Sequence, residues 1–262
     1  MKRMLFALIF SLTLVLSPAA ALATQPTDLP AQVPEKTGDY PDPENPQLRV
    51  HVFVHEPKDK NKNDSVITSL PAACSDPTSS AIVPAAGWKL QGNVTYRLNP
   101  SSAPSSSLIT NLPTIADNGF DTWSAAISGK ITFTQGSNTS TNRQAYDGQN
   151  IISWGRLQSG ALGVTYIRYY TSSGQVVDVD TILNKRYTWS WTDPTTATTC
   201  GVANTYDVQD ILTHEQGHWM GLDDTYDVSY QNNTMYGYGS TNEIKKDTLT
   251  AGDISGVQTI YH

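Results

Sequence analysis

What this sequence lacks excludes several classes of protein. Its 262 residues carry a formal net charge of −7 and contain no basic cluster beyond a short mixed run. Because phosphate binding requires a basic patch, we expect no nucleic-acid partner. The one long apolar run, from Met4 to Leu16, is shorter than the roughly 20 residues that a helix needs to cross a bilayer, so we expect no stable membrane insertion. There is also no internal repeat.

The first residues have the order of an export signal. Lys2 and Arg3 precede the apolar run, and the small residues 21–23 follow it before Thr24. This order predicts a signal peptide over residues 1–23, so we expect a secreted, extracellular protein. An uncleaved anchor is the alternative reading. No cysteine stands at the cleavage point, so lipid attachment is not expected.

Cysteine is scarce, and its two copies suit an oxidising compartment. Export allows Cys74 and Cys200 to pair, and we expect a disulfide between them. That bridge would close a loop of roughly 125 residues and stabilise the fold by about 4 to 5 kcal/mol in the chain-entropy model.

Residues 24–84 differ in composition from the rest of the chain. Repeated prolines interrupt them, residues 58–64 form a solvated charge run, and only residues 48–54 alternate like a strand. We interpret this stretch as a pro-segment or N-terminal extension and place the catalytic domain at residues 85–262. His51 and His55 lie four apart and could face one metal, but surface histidines in a discarded segment are the expected reading.

The remaining residues predict an α+β domain, because one strand and one helix are followed by several strands and two further helices. Asp207 is a candidate N-cap and Gly221 a stop for the second helix, and residues 250–253 have the form of a capping box. The predicted strands are 93–98, 131–134, 151–155, 163–169 and 176–183, and the predicted helices are 115–127, 207–220 and 250–261.

The second helix carries the chemistry. Residues four apart on a helix return to nearly the same face, so His214 and His218 can present two imidazoles to one ion. Glu215 lies close to that face, where its carboxylate can reach a metal-bound water as general base. With only 5 histidines in the chain, this spacing arises by chance in under about 1% of such sequences.

The turn after the helix provides a third ligand. Gly221 lets the chain leave the helix through a conformation that other residues resist, and Asp224 follows as a hard oxygen donor, with Asp223 as its rival. Three protein ligands leave the fourth position open, as in catalytic zinc sites, whereas structural sites use four.

The motif from His214 to Asp224, His-Glu-x-x-His-x-x-Gly-x-x-Asp, resembles the metzincin zinc-binding motif in the variant with Asp as third ligand, as in snapalysin-type enzymes. Residues 233–237 look like the Met-turn, and residues 249–261 are similar to the closing helix of matrixins. The resemblance extends over residues 85–262. It implies a metzincin-like domain with a twisted mixed five-stranded sheet, two long helices and a C-terminal helix after the Met-turn.

The resemblance implies a secreted zinc endopeptidase in which Glu215 activates a zinc-bound water that attacks the peptide carbonyl. In this family a methionine lies beneath the metal, and the resemblance implies that position for Met235, with a buried core methionine as the alternative reading. An edge strand aligns the substrate, and a wall after the Met-turn forms a side-chain pocket. The corresponding substrate-binding candidates are Gly160, Ala161, Leu162, Tyr236 and Tyr238.

Two features of vertebrate-type matrixins are missing. No histidine stands between His55 and His214, so we expect one catalytic zinc without a second, structural one. The only cysteine of the pro-segment, Cys74, lacks the usual inhibitory setting, which argues against a thiolate switch on the zinc.

Calcium is a second candidate cofactor, with Asp147, Asp178 and Asp180 as possible donors, although solvated carboxylates are the simpler reading. We expect a monomer that acts on proteins or peptides. Two other functions stay open, namely a peptide- or surface-binding protein with a zinc-stabilised core and a zinc hydrolase of a non-peptide amide.

Overall fold

The structure, a computed structural model, describes residues 32–58, 76–195 and 201–262. The predicted signal peptide and both cysteines lie outside these ranges, so the signal-peptide and disulfide predictions are not addressed by them. Within the described ranges, no helix has the length and apolar character needed to cross a membrane.

The centre of the fold is a mixed sheet of eight strands. Seven of them follow the order β1-β2-β6-β7-β5-β3-β4, and β10 pairs with β2. Three neighbouring pairs are parallel, namely β4 with β3, β3 with β5, and β5 with β7. Strand β6 is antiparallel to both of its neighbours, β7 and β2. A separate pair is formed by β8 and β9. The strands are β1 (Gly38–Pro41), β2 (Leu48–Pro57), β3 (Asn93–Leu98), β4 (Thr132–Gln135), β5 (Asn150–Gly155), β6 (Gly163–Tyr170), β7 (Val176–Asn184), β8 (Trp189–Ser190), β9 (Tyr206–Asp207) and β10 (Tyr238–Gly239).

The α+β prediction is confirmed, but the sheet is larger than the five strands expected. Residues 93–184 do supply five strands, β3 to β7, and the additional ones are β1 and β2 from the N-terminal segment and the short β10. Among the described residues, therefore, the segment before residue 85 is part of the sheet.

Three α-helices complete the fold: α1 (Ser106–Ala126), α2 (Val208–Trp219) and α3 (Ala251–Ile260). α1 begins nine residues before the predicted start, because Ser105 caps it by accepting a hydrogen bond from the Leu108 amide and the helix accommodates Pro113. The predicted N-terminal caps of the other two helices are confirmed, since Asp207 caps α2 and Thr250 forms a capping box with Asp253 on α3.

The helices and the sheet enclose the main core. The indole of Trp123 on α1 donates to the Thr213 carbonyl on α2 (2.8 Å), and the indole of Trp219 donates to Thr181 on β7 (2.9 Å). The opposite face of the sheet carries a second apolar cluster, to which β2 contributes Val50, Val52 and Val54. Because strand residues alternate between faces, the residues between these valines face the helices and the site described next.

Candidate active site

Helix α2 holds two histidine rings, and the Nδ1 atom of each bonds a backbone carbonyl. Nδ1 of His214 hydrogen-bonds the carbonyl oxygen of Thr234 (2.8 Å), and Nδ1 of His218 hydrogen-bonds that of Leu222 (3.0 Å). A carbonyl oxygen only accepts, so each Nδ1 carries the proton and each Nε2 presents a lone pair. Both Nε2 atoms are buried and have no hydrogen-bond partner among the described residues.

The turn after α2 brings a carboxylate to these two nitrogens. Oδ1 of Asp224 lies 3.2 Å from Nε2 of His214 and 3.6 Å from Nε2 of His218. Gly221 makes the turn with φ +93°, and a Cβ there would lie 2.4 Å from the Trp88 carbonyl oxygen. Two groups of side chains could hold a metal: His214, His218 and Asp224, and His55, His214 and Glu215. Asp223 belongs to neither of them, and its carboxylate accepts from the Asp224 amide (2.9 Å).

Burial controls the charge of these side chains. Desolvation lowers the pKa of His218 to about 3 and that of His214 well below its usual value, so both rings are neutral near pH 7. Neutral imidazole is the form that binds a metal. Desolvation raises the pKa of Asp224, whose other oxygen accepts a hydrogen bond from the Tyr226 hydroxyl (3.0 Å).

Glu215 lies beside the three converging side chains and is fully buried. Its Oε2 accepts a hydrogen bond from Thr165 on β6 (2.5 Å), and Thr165 is itself 2.7 Å from the hydroxyl of Thr181 on β7. Oε1 has no hydrogen-bond partner among the described residues. Burial raises the pKa of Glu215 to about 8. The side chain is thus anchored through one of its two oxygens only.

A buried carboxylate fixes the loop that supports His214. Asp253 on α3 accepts hydrogen bonds from the backbone amides of Thr234 (3.0 Å) and Met235 (3.3 Å), and from the Thr250 hydroxyl (2.7 Å). The position of the Thr234 carbonyl, and with it the His214 ring, therefore depends on Asp253. Met235 is buried below α2, where a Cβ on Gly217 would lie 2.2 Å from its sulfur.

The unpaired atoms fit a divalent transition-metal ion. Nε2 of His214, Nε2 of His218 and Oδ1 of Asp224 are buried, lack hydrogen-bond partners among the described residues and lie within 4.8 Å of one another. Buried polar atoms are rarely left unpaired, and two imidazoles with one carboxylate are a donor set that zinc binds.

The predicted substrate-binding residues flank this centre on two sides. Gly160, Ala161 and Leu162 lead into β6, but the edge of β6 is paired with β2, and the Leu162 amide donates to the His55 carbonyl (2.7 Å). Across the site, Tyr238 pairs with Glu56 of β2. The ring of Tyr236 packs against that of Tyr238, with 5.5 Å between centroids.

Sequence reasoning missed two buried residues of the site. His55, expected at the surface, is 1% exposed, and its Nδ1 lies 3.4 Å from Oε1 of Glu215. The surface expectation was wrong because the face of β2 that carries His55 packs on α2. Lys246 is fully buried and its ammonium lies 3.2 Å from Nε2 of His55. The sequence held a signal for His55 alone, because this histidine lies on the inward-facing side of an alternating strand.

The carboxylates proposed for calcium have other partners. Arg168 donates to Asp178 (3.0 Å) and lies 3.5 Å from Asp180, and backbone amides of residues 145, 147 and 148 donate to the same two side chains. The guanidinium provides the positive charge that buried carboxylates require. The reading of Asp178 and Asp180 as solvated carboxylates was wrong, because both are buried. Calcium binding by Asp147, Asp178 and Asp180 stays a prediction.

Comparison with known proteins agrees with this geometry at the level of the family. No curated protein matches the chain. The model of the matrixin family, whose members are metallopeptidases, matches residues 87–262, which is more than half of the sequence and includes α1, α2 and α3. The chain therefore belongs to the matrixin family.

Proposed function

We propose that the protein is an exported, zinc-dependent endopeptidase with His214, His218 and Asp224 as metal ligands and Glu215 as general base. The observation that carries the proposal is the set of three unpaired buried donor atoms beside an unpaired oxygen of Glu215. A structural zinc site would be closed by a fourth ligand and would give Glu215 no task. The N-terminal pattern of residues 1–23 supports export.

Bound zinc would supply a Lewis acid for the attacking water and for the carbonyl oxygen of the scissile bond. Glu215 performs the proton transfers, because its free Oε1 can accept the proton of the water and deliver it to the departing amine. Thr165 holds the other oxygen, so the carboxylate does not rotate between the two steps. Burial makes the protonated form of Glu215 accessible near neutral pH, which suits a group that stores a proton.

The test uses protein that begins after residue 23, loaded with zinc and incubated with casein and with unstructured peptides. Four proteins are compared, each with and without a chelator. They are the wild type, Glu215→Gln, His55→Ala and the variant that carries both substitutions. We expect chelator-sensitive cleavage that falls by at least about a hundredfold in both proteins that carry the glutamine substitution, because a general base typically contributes that much or more.

The glutamine substitution should leave the bound zinc unchanged, since Glu215 is not among the proposed ligands. Metal content and circular dichroism verify that each variant is folded and loaded. If folded, zinc-loaded wild type and His55→Ala both fail to cleave any substrate, the peptidase proposal is wrong.

A further inference from the structure

A tyrosine contacts the carboxylate that is proposed as the third metal ligand. The hydroxyl of Tyr226 donates a hydrogen bond to Oδ2 of Asp224 (3.0 Å). The other oxygen, Oδ1, lies 3.2 Å from Nε2 of His214 and 3.6 Å from Nε2 of His218. The two oxygens of Asp224 therefore have different surroundings, because one faces the imidazoles and the other faces a phenol.

This difference matters because a carboxylate can bind an ion through one oxygen or through both. Rotation of the side chain exchanges its two oxygens unless something holds one of them. The side chain of Asp224 is only 3% exposed, so little solvent is present to replace the hydrogen bond from Tyr226. A hydrogen bond to an ionised acceptor is also about twice as strong as one between neutral groups. The phenol therefore selects one orientation of the carboxylate.

The backbone between Asp224 and Tyr226 is fixed to the loop that contains Met235. The amide of Thr225 donates to the Met235 carbonyl (3.0 Å), and the carbonyl of Thr225 accepts from the Gly237 amide (2.9 Å). The Thr225 hydroxyl also donates to the Met235 carbonyl (3.0 Å). A shift of Asp224 or Tyr226 along the chain would break these bonds.

The ring of Tyr226 occupies space that Gly237 leaves open. A Cβ on Gly237 would lie 2.4 Å from Cε1 and 2.7 Å from Cζ of that ring. The ring of Tyr238 packs edge-on against it, with 5.3 Å between centroids. Although Tyr226 is 45% exposed, these contacts seat its ring with the hydroxyl directed at Asp224.

A separate contact fixes the backbone of Asp224. The carboxylate of Asp223 accepts from the Asp224 amide (2.9 Å), and the amide of Asp223 donates to the Pro84 carbonyl (3.0 Å). Because the backbone is held there, the position of each oxygen of Asp224 depends on the rotation of its side chain. Tyr226 controls that rotation.

We propose that Tyr226 is a positioning residue of the metal site, whose hydroxyl holds Oδ2 of Asp224 so that this side chain offers the ion only Oδ1. The inference rests on the proposed function, because it assumes the ligands named there. Two imidazole nitrogens and one oxygen leave the fourth position open for water or substrate, whereas a second oxygen from Asp224 would compete for that position. Tyr226 therefore keeps open the position that catalysis requires.

The test removes only the hydroxyl and reads the metal site by spectroscopy. Tyr226→Phe keeps the ring that packs on Tyr238 and loses the hydrogen bond to Asp224. Protein that begins after residue 23 is loaded with cobalt in place of zinc, because the visible absorption of cobalt is weaker with five ligands than with four. We expect the molar absorptivity of Tyr226→Phe to fall at least about twofold as the freed oxygen joins the ion. Zinc affinity should fall about 10-fold or more, as for other residues that hold a metal ligand.

Tyr169→Phe is the matched control, because Tyr169 also donates to a carboxylate at 3.0 Å, that of Asp39 on the edge strand β1. Its cobalt spectrum and zinc affinity should equal those of the wild type. The spectrum decides, since a purely structural role would weaken zinc binding without changing the number of ligands.

An unchanged spectrum in cobalt-saturated Tyr226→Phe would overturn the inference, whatever the zinc affinity. The same result is expected if the metal is held by His55, His214 and Glu215, because Asp224 is absent from that group. A folded wild type that binds no cobalt would refute the proposed ligands and this inference with them. Failure of the peptidase proposal alone is distinct, because it appears as absent cleavage by protein whose cobalt spectrum still responds to Tyr226→Phe.

Discussion

Replacing Asp253 by Asn tests how the fold positions the metal site. Oδ2 of Asp253 accepts from the Thr234 amide, the Thr250 amide and the Thr250 hydroxyl, and Oδ1 accepts from the Met235 amide and the Asn233 side chain. An asparagine has one acceptor oxygen, and its amide nitrogen is itself a donor. Whichever way it is oriented, at least two of these donors lose their acceptor.

The cost follows from the burial of the site. Asp253 is fully buried, and each buried donor that loses its partner costs about 1 to 3 kcal/mol. We therefore expect Asp253→Asn to lower the free energy of unfolding by about 3 to 5 kcal/mol, a large part of the roughly 5 to 15 kcal/mol typical of a domain. Since the Thr234 carbonyl orients His214, zinc affinity should also fall, by about 10- to 100-fold as for other residues that hold a metal ligand.

Urea unfolding followed by circular dichroism measures the first effect, and competition with a chromogenic chelator measures the second. Asp227→Asn is the matched control, because Asp227 also accepts from a backbone amide and a hydroxyl, those of Ser229, but at an exposed turn. It should leave both the stability and the zinc affinity close to those of the wild type. If Asp253→Asn behaves like this control in both assays, Asp253 does not fix the His214 support.

Substitutions at three further positions test other parts of the structure. Gly217→Ala places a methyl group 2.2 Å from the sulfur of Met235, so we expect a loss of about 1 to 3 kcal/mol and weaker zinc binding, measured by thermal unfolding with and without metal. Arg168→Met leaves Asp178 buried without its cation and should cost about 3 to 5 kcal/mol in urea unfolding, whereas Arg168→Lys should cost less. Burial raises the pKa of Asp247 to about 7, so the folded protein binds its proton more tightly than the unfolded chain and stability falls as pH rises from about 4 to 7. Asp247→Asn removes that loss, and its stability gain should be about 2 to 3 kcal/mol larger at pH 8 than at pH 5.

The elements that the sequence predicted well are those with local signals. Strand β3 has its predicted bounds, and α3 begins at the capping box formed by Thr250 and Asp253. α2 was recognised from the Asp207 cap and the Gly221 stop, and the spacing of its two histidines already required their rings to share a face. In each case the determining contacts lie within a few residues of one another.

Longer-range contacts explain what the sequence did not reveal. The alternation of residues 48–54 predicted a strand, but nothing local shows that β2 pairs with β6, more than a hundred residues later. The burial of His55 depends on Lys246, 191 residues further along the chain. The same applies to the proposed third ligand, because spacing alone left Asp223 and Asp224 as rivals, and the path of the turn places Oδ1 of Asp224 beside the two imidazoles.

Among the residues of β2, His55 says the most about the candidate site. Val50, Val52 and Val54 pack in an apolar cluster, as any half-buried strand requires, and they would do so at either edge of a sheet. His55 lies on the other face among buried polar groups, where an imidazole without partners would destabilise the fold. Lys246 provides one partner, and the remaining nitrogen faces Glu215. An apolar side chain could fill the same pocket but could not pair with Lys246 or Glu215, so His55 links β2 to the polar groups of the candidate site as well as to the packing of the sheet.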